Sequence, residues 1–241
     1  MIKKAFEYIV GLSCPWVEKI GDETYSDKPL HRISYVPRAK SIEMNTLSSL
    51  IDYIKSGVDS FCDQMIIHVQ SPTRVSMYSA LDCEREREYV VEVKANVPAF
   101  NFNQFQDHES FCIGVQSKCI DDPDTDKALL LRFAGTVEAG SVAEYGDDGV
   151  SQKATVKTGI ASKGEALVPS PASLKPFRTF VEVEQPVSRF IFRMKEDKYN
   201  KGIQCALFEA DGGAWKLEAM EAIKAYLDSE LENVPGFTII Y

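Results

Sequence analysis

Arg189, Arg193 and Lys195 fall at even spacings within Val187-Ser-Arg-Phe-Ile-Phe-Arg-Met-Lys195. In an extended backbone, residues at even spacings share a face. Cations gathered in this way suit phosphate capture, because a guanidinium fork holds an oxyanion through paired hydrogen bonds. Arg178, within Phe177-Arg-Thr-Phe-Val-Glu-Val183, is expected on a neighbouring segment and completes the candidate ligand-binding set Arg178, Arg189, Arg193 and Lys195. The same alternation also describes the wet face of an antiparallel sheet, with Phe190, Phe192 and Met194 turned to the core. Glu182 and Glu184 stand near enough in sequence to neutralise part of such a patch, and Lys153, Lys157 and Lys163 form a second basic set.

No catalytic residue, metal ligand or cofactor emerges from the remaining residue types. Asp121-Asp-Pro-Asp-Thr-Asp-Lys127 echoes the start of a calcium loop, but Lys127 stands where that loop needs glycine and Phe133 where it needs a bidentate glutamate. A solvated loop capping the next helix through Asp124 or Thr125 is the simpler reading. His31, His68 and His108 are scattered, and the cysteines at 14, 62, 83, 112, 119 and 205 include no C-x-x-C pair. They read as reduced thiols, with Cys112 and Cys119, seven residues apart, as ordinary core residues. Asp211-Gly212-Gly213 reads as the flexible start of a helix, although a helix N-terminus can also bind anions. A metal-dependent phosphodiesterase or nuclease would have to draw its ligands from Asp82, Glu84, Asp147 and Asp148.

The elements that must position these residues are legible in parts. Leu47, Leu50, Ile51, Ile54 and Val58 trace a helical stripe capped by Asn45 or Thr46. Strands are expected at Gln64 to Val69, Arg74 to Ser79 and Tyr89 to Ala95, then helices over Asp107 to Cys119 and Thr125 to Thr136. A hairpin is expected between Val142-Ala-Glu-Tyr145 and Gln152 to Thr158. A second one joins Val187 to Lys195 with Ile203 to Phe208, followed by a helix capped by Asp211 with Ala219, Ile223, Tyr226, Leu227 and Leu231 inward, and a closing strand from Gly236. The expected fold class is α+β, a mainly antiparallel sheet of meander and hairpins packed by three or four helices. It occupies a single domain over 44–241, after an irregular segment 1–43 with a candidate hairpin around Gly21-Asp22.

Composition bounds the function. In 241 residues, 44% hydrophobic and 26% charged, there is enough apolar material for a full core, which excludes global disorder. A formal charge of −9 opposes a surface that attracts nucleic acid everywhere, though a local basic patch can still bind phosphate. No apolar run approaches the roughly 20 residues of a membrane span. Glu7 interrupts the region where a signal peptide would be apolar, so a cytoplasmic location is expected.

Four segments carry a resemblance: Thr46-Leu-Ser-Ser-Leu-Ile-Asp-Tyr-Ile-Lys55, Asp148-Gly-Val-Ser-Gln152, Arg178-Thr-Phe-Val-Glu-Val-Glu-Gln-Pro186 and Ala206-Leu-Phe-Glu-Ala-Asp-Gly-Gly-Ala-Trp215. Together they resemble the YfdQ-like proteins of bacteriophages and prophages, over about residues 44 to 232. The resemblance implies a phage origin, the cytoplasm of an infected bacterial host and a shared fold, and it transfers no catalytic residue.

Two functional classes follow. In the first, a non-enzymatic homo-oligomeric phage accessory protein binds a small phosphorylated ligand and sequesters a nucleotide signal of host defence. In the second, an accessory protein of phage replication or recombination binds single-stranded DNA through the same arginines and Phe100, Phe102 and Phe105. The net charge weighs against the second. No membrane partner is expected.

Overall fold

A computed structural model describes residues 2–13, 15–29, 38–61, 64–83, 85–136, 153–157, 163–167, 170–196 and 202–241. The chain divides into two units, Met1–Ala39 and Lys40–Tyr241. The smaller unit holds helix α1 (Ile2–Ser13) and an antiparallel hairpin of β1 (Val17–Ile20) and β2 (Glu23–Ser26), with Gly21 at φ 67° in its turn. A helix thus stands where irregular chain is expected. Ile2, Phe6 and Ile9 recur at helical spacing, and Pro15, which a helix interior would not tolerate, lies beyond its end.

The larger unit begins ahead of residue 44, because β3 (Ile42–Met44) is already part of a sheet. Then come α2 (Leu47–Ser56), β4 (Met65–Ser71), β5 (Arg74–Ser79), β6 (Tyr89–Lys94), β7 (Gln106–Asp107), α3 (His108–Lys118) and α4 (Lys127–Thr136). They are followed by β8 (Lys153–Lys157), β9 (Lys163–Leu167), β10 (Ala172–Leu174), β11 (Ser188–Glu196), β12 (Ile203–Glu209), α5 (Ala214–Glu230) and β13 (Phe237–Ile240). The fold is α+β with mainly antiparallel sheet. The first arm of the hairpin expected at 142–158 lies outside the described residues; Lys153–Lys157 pairs antiparallel with Lys163–Leu167.

Two sheets carry two cores. One has the order β13-β4-β5-β6-β3, antiparallel at its centre and parallel at both edges. Met65, Ile67 and Val69 of β4, alternate residues and so on one face, meet Leu47, Leu50, Ile51 and Ile54 of α2 and Ile223 and Leu227 of α5. Helix α2 forms here because Thr46 Oγ1 accepts the Ser49 amide hydrogen, and it ends at Gly57, whose φ of 60° glycine adopts without cost. The other sheet, β10-β11-β12-β7, is antiparallel throughout. Its inner face, Phe190, Phe192, Met194, Cys205 and Leu207, packs on Phe111 and Val115 of α3 and Leu130 and Ala134 of α4. No helix among the described residues is long and apolar enough to cross a membrane.

Residues 177–187 are an irregular, largely buried crossing between the two cores, with Val181, Glu184 and Val187 exposed. Gln185 closes it: its Oε1 accepts from the Arg178 and Thr179 amides at 2.8 and 3.1 Å, and its Nε2 donates to the Phe180 and Val183 carbonyls. Phe180 and Val183 enter the first core, and the Thr179 hydroxyl donates to Pro72 O in the β4–β5 turn. Glu182 Oε1 accepts from Ser48 N at 3.1 Å, so its charge faces the positive end of α2.

Candidate functional site

The structure brings three of the four predicted ligand-binding residues together and sets the fourth apart. On β11 burial alternates: Ser188, Phe190, Phe192 and Met194 are buried, Arg189, Ile191 and Lys195 exposed and Arg193 half-buried. Arg189, Arg193 and Lys195 therefore share the outer face, where Lys195 Nζ sits 4.0 Å over the Phe105 ring. Arg178 belongs to the opposite, inner side. It lies in the buried crossing, not on a neighbouring strand; the strand paired with that end of β11 is Ala172–Leu174. Only 5% of Arg178 is exposed, since Gln185 curls residues 178–185 inward. Glu182 and Glu184, expected beside the patch, instead serve α2 and Lys175.

Arg178 gathers residues from four parts of the unit. Its guanidinium carbon lies 4.2 Å from the centroid of Phe102, 4.8 Å from Phe190 and 4.7 Å from Trp215. Phe190 is given by β11, and Trp215 stands in the first turn of α5. Phe102 is delivered by the aromatic loop, which Asn103 pins to β12: its amide donates to Leu207 O at 2.8 Å, its Oδ1 accepts from Glu209 N, and its φ is 61°. Phe102 then stacks on Phe190 at 5.2 Å with planes 14° apart. Phe100 packs on Phe102 and Phe105 on Phe208, so all three aromatics proposed as a DNA-stacking platform are engaged within the protein.

The polar contacts are one-sided. Arg178 Nη1 donates to Ser188 Oγ at 3.3 Å and meets Glu209 Oε1 at 3.1 Å. Nε and Nη2 are buried and have no hydrogen-bond partner among the described residues, and the same holds for Trp215 Nε1 and Asp211 Oδ2. Nε and Nη2 form the edge of a guanidinium that presents two parallel N–H groups, the geometry that matches a carboxylate or phosphate. Burial pulls the Arg178 guanidinium below the usual arginine value, while Glu209 and Asp211 oppose it. It stays cationic at neutral pH, where arginine does not deprotonate. Asp211 does not cap α5 as expected: Gly213, at φ 82°, holds that position, and Asp211 Oδ1 accepts from Gly213 N at 2.9 Å.

The other candidate groups are committed to structure. Burial pushes the Cys119 thiol up to about 11 and Cys205 up to about 12, which leaves both protonated at neutral pH and poor as nucleophiles or metal ligands. Lys127 is buried, its Nζ donating to Gln116 O and Cys119 O and pairing with Asp121. The acidic loop is therefore organised round a lysine, and Asp122 and Asp126 make its tertiary bonds, Asp122 Oδ2 pairing with Lys175 Nζ and Asp126 Oδ2 accepting from Ser173 N. Asp82 Oδ1 accepts from Glu86 N, while Glu84, Asp147 and Asp148 lie outside the described residues.

Arg178 is legible in the sequence as a candidate but with the wrong neighbours, Asp211 reads there as a helix cap, and Trp215, Glu209 and Ser188 carry no local sign that they meet Arg178. The signal available was the density of turn, charge and aromatic residues in Glu209-Ala-Asp-Gly-Gly-Ala-Trp215, but nothing local says that this stretch closes over residue 178. Segments distant in sequence meet in this region: α2 through Ser48, the crossing itself, and the end of β12 with the start of α5. No protein-family model, curated protein or solved structure matches this chain.

Proposed function

We propose that the protein is a non-enzymatic accessory protein that captures an anionic small molecule, with Arg178 as its anchor. The observation that carries this reading is the Nε/Nη2 edge of Arg178: a fixed cation, stacked on three rings, whose paired donors have no acceptor among the described residues. A buried donor left unpaired costs about 1–3 kcal/mol, so a ligand oxygen pair there relieves a standing penalty. The resemblance to the phage family supports a nucleotide of host defence as ligand. Self-association is part of the reading, because β13 and β3 present the outer edges of one sheet and β10 and β7 those of the other, and pairing with a second copy covers such edges.

Calorimetric titration with adenine and guanine nucleotides tests it, alongside light scattering and thermal melts. The wild type is expected to bind and to exceed 27.0 kDa in solution. Arg178→Lys keeps the charge without the fork and should weaken binding about tenfold or more. Arg193→Glu, on the outer face, should leave binding unchanged. A wild type that binds no nucleotide sinks the proposal; loss of binding in Arg193→Glu with retention in Arg178→Lys moves the site to the outer strand face.

A further inference from the structure

The unpaired atoms around Arg178 are not all donors, and their mixture specifies a head group. Arg178 Nε and Nη2 and Trp215 Nε1 need acceptors, whereas Asp211 Oδ2 needs a donor. Asp211 stands on the short turn between Glu209, whose carboxylate meets Arg178 Nη1 at 3.1 Å, and Trp215, whose ring lies 4.7 Å from the guanidinium, and its Oδ1 is held by the Gly213 amide. Glu209 already answers Nη1, so Asp211 is an additional carboxylate beside a cation that has one. A fully deprotonated anion entering here meets Arg178 favourably but leaves Asp211 facing a like charge with nothing to accept.

Resting on the reading of Arg178 as an anion anchor, we infer that the head group it binds is a phosphate that carries a proton. Inorganic phosphate or the terminal phosphate of a monoester offers two unprotonated oxygens to the Arg178 fork, a further lone pair to Trp215 Nε1, and a P–OH that donates to Asp211 Oδ2. Sulfate has the same shape and size but no proton near neutrality. A cyclic phosphodiester likewise has no P–OH. The site selects phosphate by the proton, much as a pocket built to pair a polar group rejects the analogue that lacks it.

The test titrates the full chain, near pH 6, with inorganic phosphate, a nucleoside monophosphate, a cyclic nucleotide and sulfate. About half of a phosphate monoester is singly protonated there. The two monoester-type ligands are expected to bind, with sulfate and the cyclic nucleotide weaker by about tenfold or more; the relative strength of free phosphate and the nucleoside monophosphate tells which source the site prefers. Asp211→Asn, whose amide can donate, should raise sulfate affinity and erase the discrimination. Trp215→Phe keeps the ring and removes one donor, so it should weaken phosphate without opening the site to sulfate. Equal binding of phosphate and sulfate by the wild type overturns this inference and leaves the anion-binding reading standing. Failure of every anion to bind overturns both.

Discussion

Lys127 and Arg178 show how a single buried cation can organise chain that would otherwise be loop. Lys127 satisfies two carbonyls at the C-terminus of α3 from outside the helix, Gln116 O at 3.0 Å and that of the cap residue Cys119 at 2.6 Å, while the Phe177 amide serves the Lys118 carbonyl between them. Its Asp121 partner is almost fully exposed, so that ion pair adds little and the carbonyl bonds carry the effect. Lys127→Met fills the same volume but strands two carbonyls, and the loss expected in a denaturant titration is about 1–3 kcal/mol. Asp121→Ala should cost under about 1 kcal/mol. Comparable losses at both positions would show that the ion pair, not the capping, is what matters. Arg178 differs because stacking holds it: three ring faces surround a guanidinium whose polar edge is half used.

Helix α3 depends on its first residue outside the helix. Asp107 Oδ1 accepts from Ser110 N at 2.9 Å, and hydrogen bonds from the Ser110 hydroxyl and amide hold the Asp107 carboxyl below its ordinary range. The folded state therefore binds this proton less readily than the unfolded chain. The contribution is complete above the unfolded aspartate value, about pH 4, and is lost as pH falls through the folded value. Asp107→Ala should cost about 1 kcal/mol at neutral pH. The gap between wild type and variant in urea melts should shrink as the solution is acidified below about pH 4. A gap that is constant down to pH 2 would assign the cost to helix propensity instead of the charged cap.

At the scale of the whole molecule, both cores lie within the unit that begins at Lys40: every residue of each falls between Met44 and Ile239. The crossing from Phe177 to Val187 fastens one core to the other through Thr179 and Pro72, Glu182 and Ser48, and Arg178 and Glu209. Residues 40–241 expressed alone should melt in one cooperative transition at a midpoint within about 4 °C of the full chain, the shift that roughly 1 kcal/mol produces in a chain of this size. A drop of more than about 10 °C would mean that residues 1–39 complete one of the cores.

The sequence by itself determined the elements whose pattern is local. The α2 stripe from Leu47 to Ile54, the strand from Tyr89, the β11 alternation and the α5 stripe through Ile223 are all written in periods of 3.6 or 2, and burial on one face follows directly, whereas the central strand from Arg74 is buried on both faces from Val75 to Tyr78. It also set the α+β class, since hairpin-length connections favour antiparallel neighbours. Only the tertiary structure decided where Arg178 lies. Phe177-Arg-Thr-Phe-Val-Glu-Val183 alternates well enough to pass for a strand, and its placement as a buried crossing comes from the Gln185 side chain and from partners far away in sequence, such as Ser48, which meets Glu182, and Trp215, which meets Arg178. Those bonds have no period. A carboxamide that folds the chain back on itself overrides a strand pattern because buried amides must be paired, and the pairing partner here is a side chain whose reach no local pattern encodes.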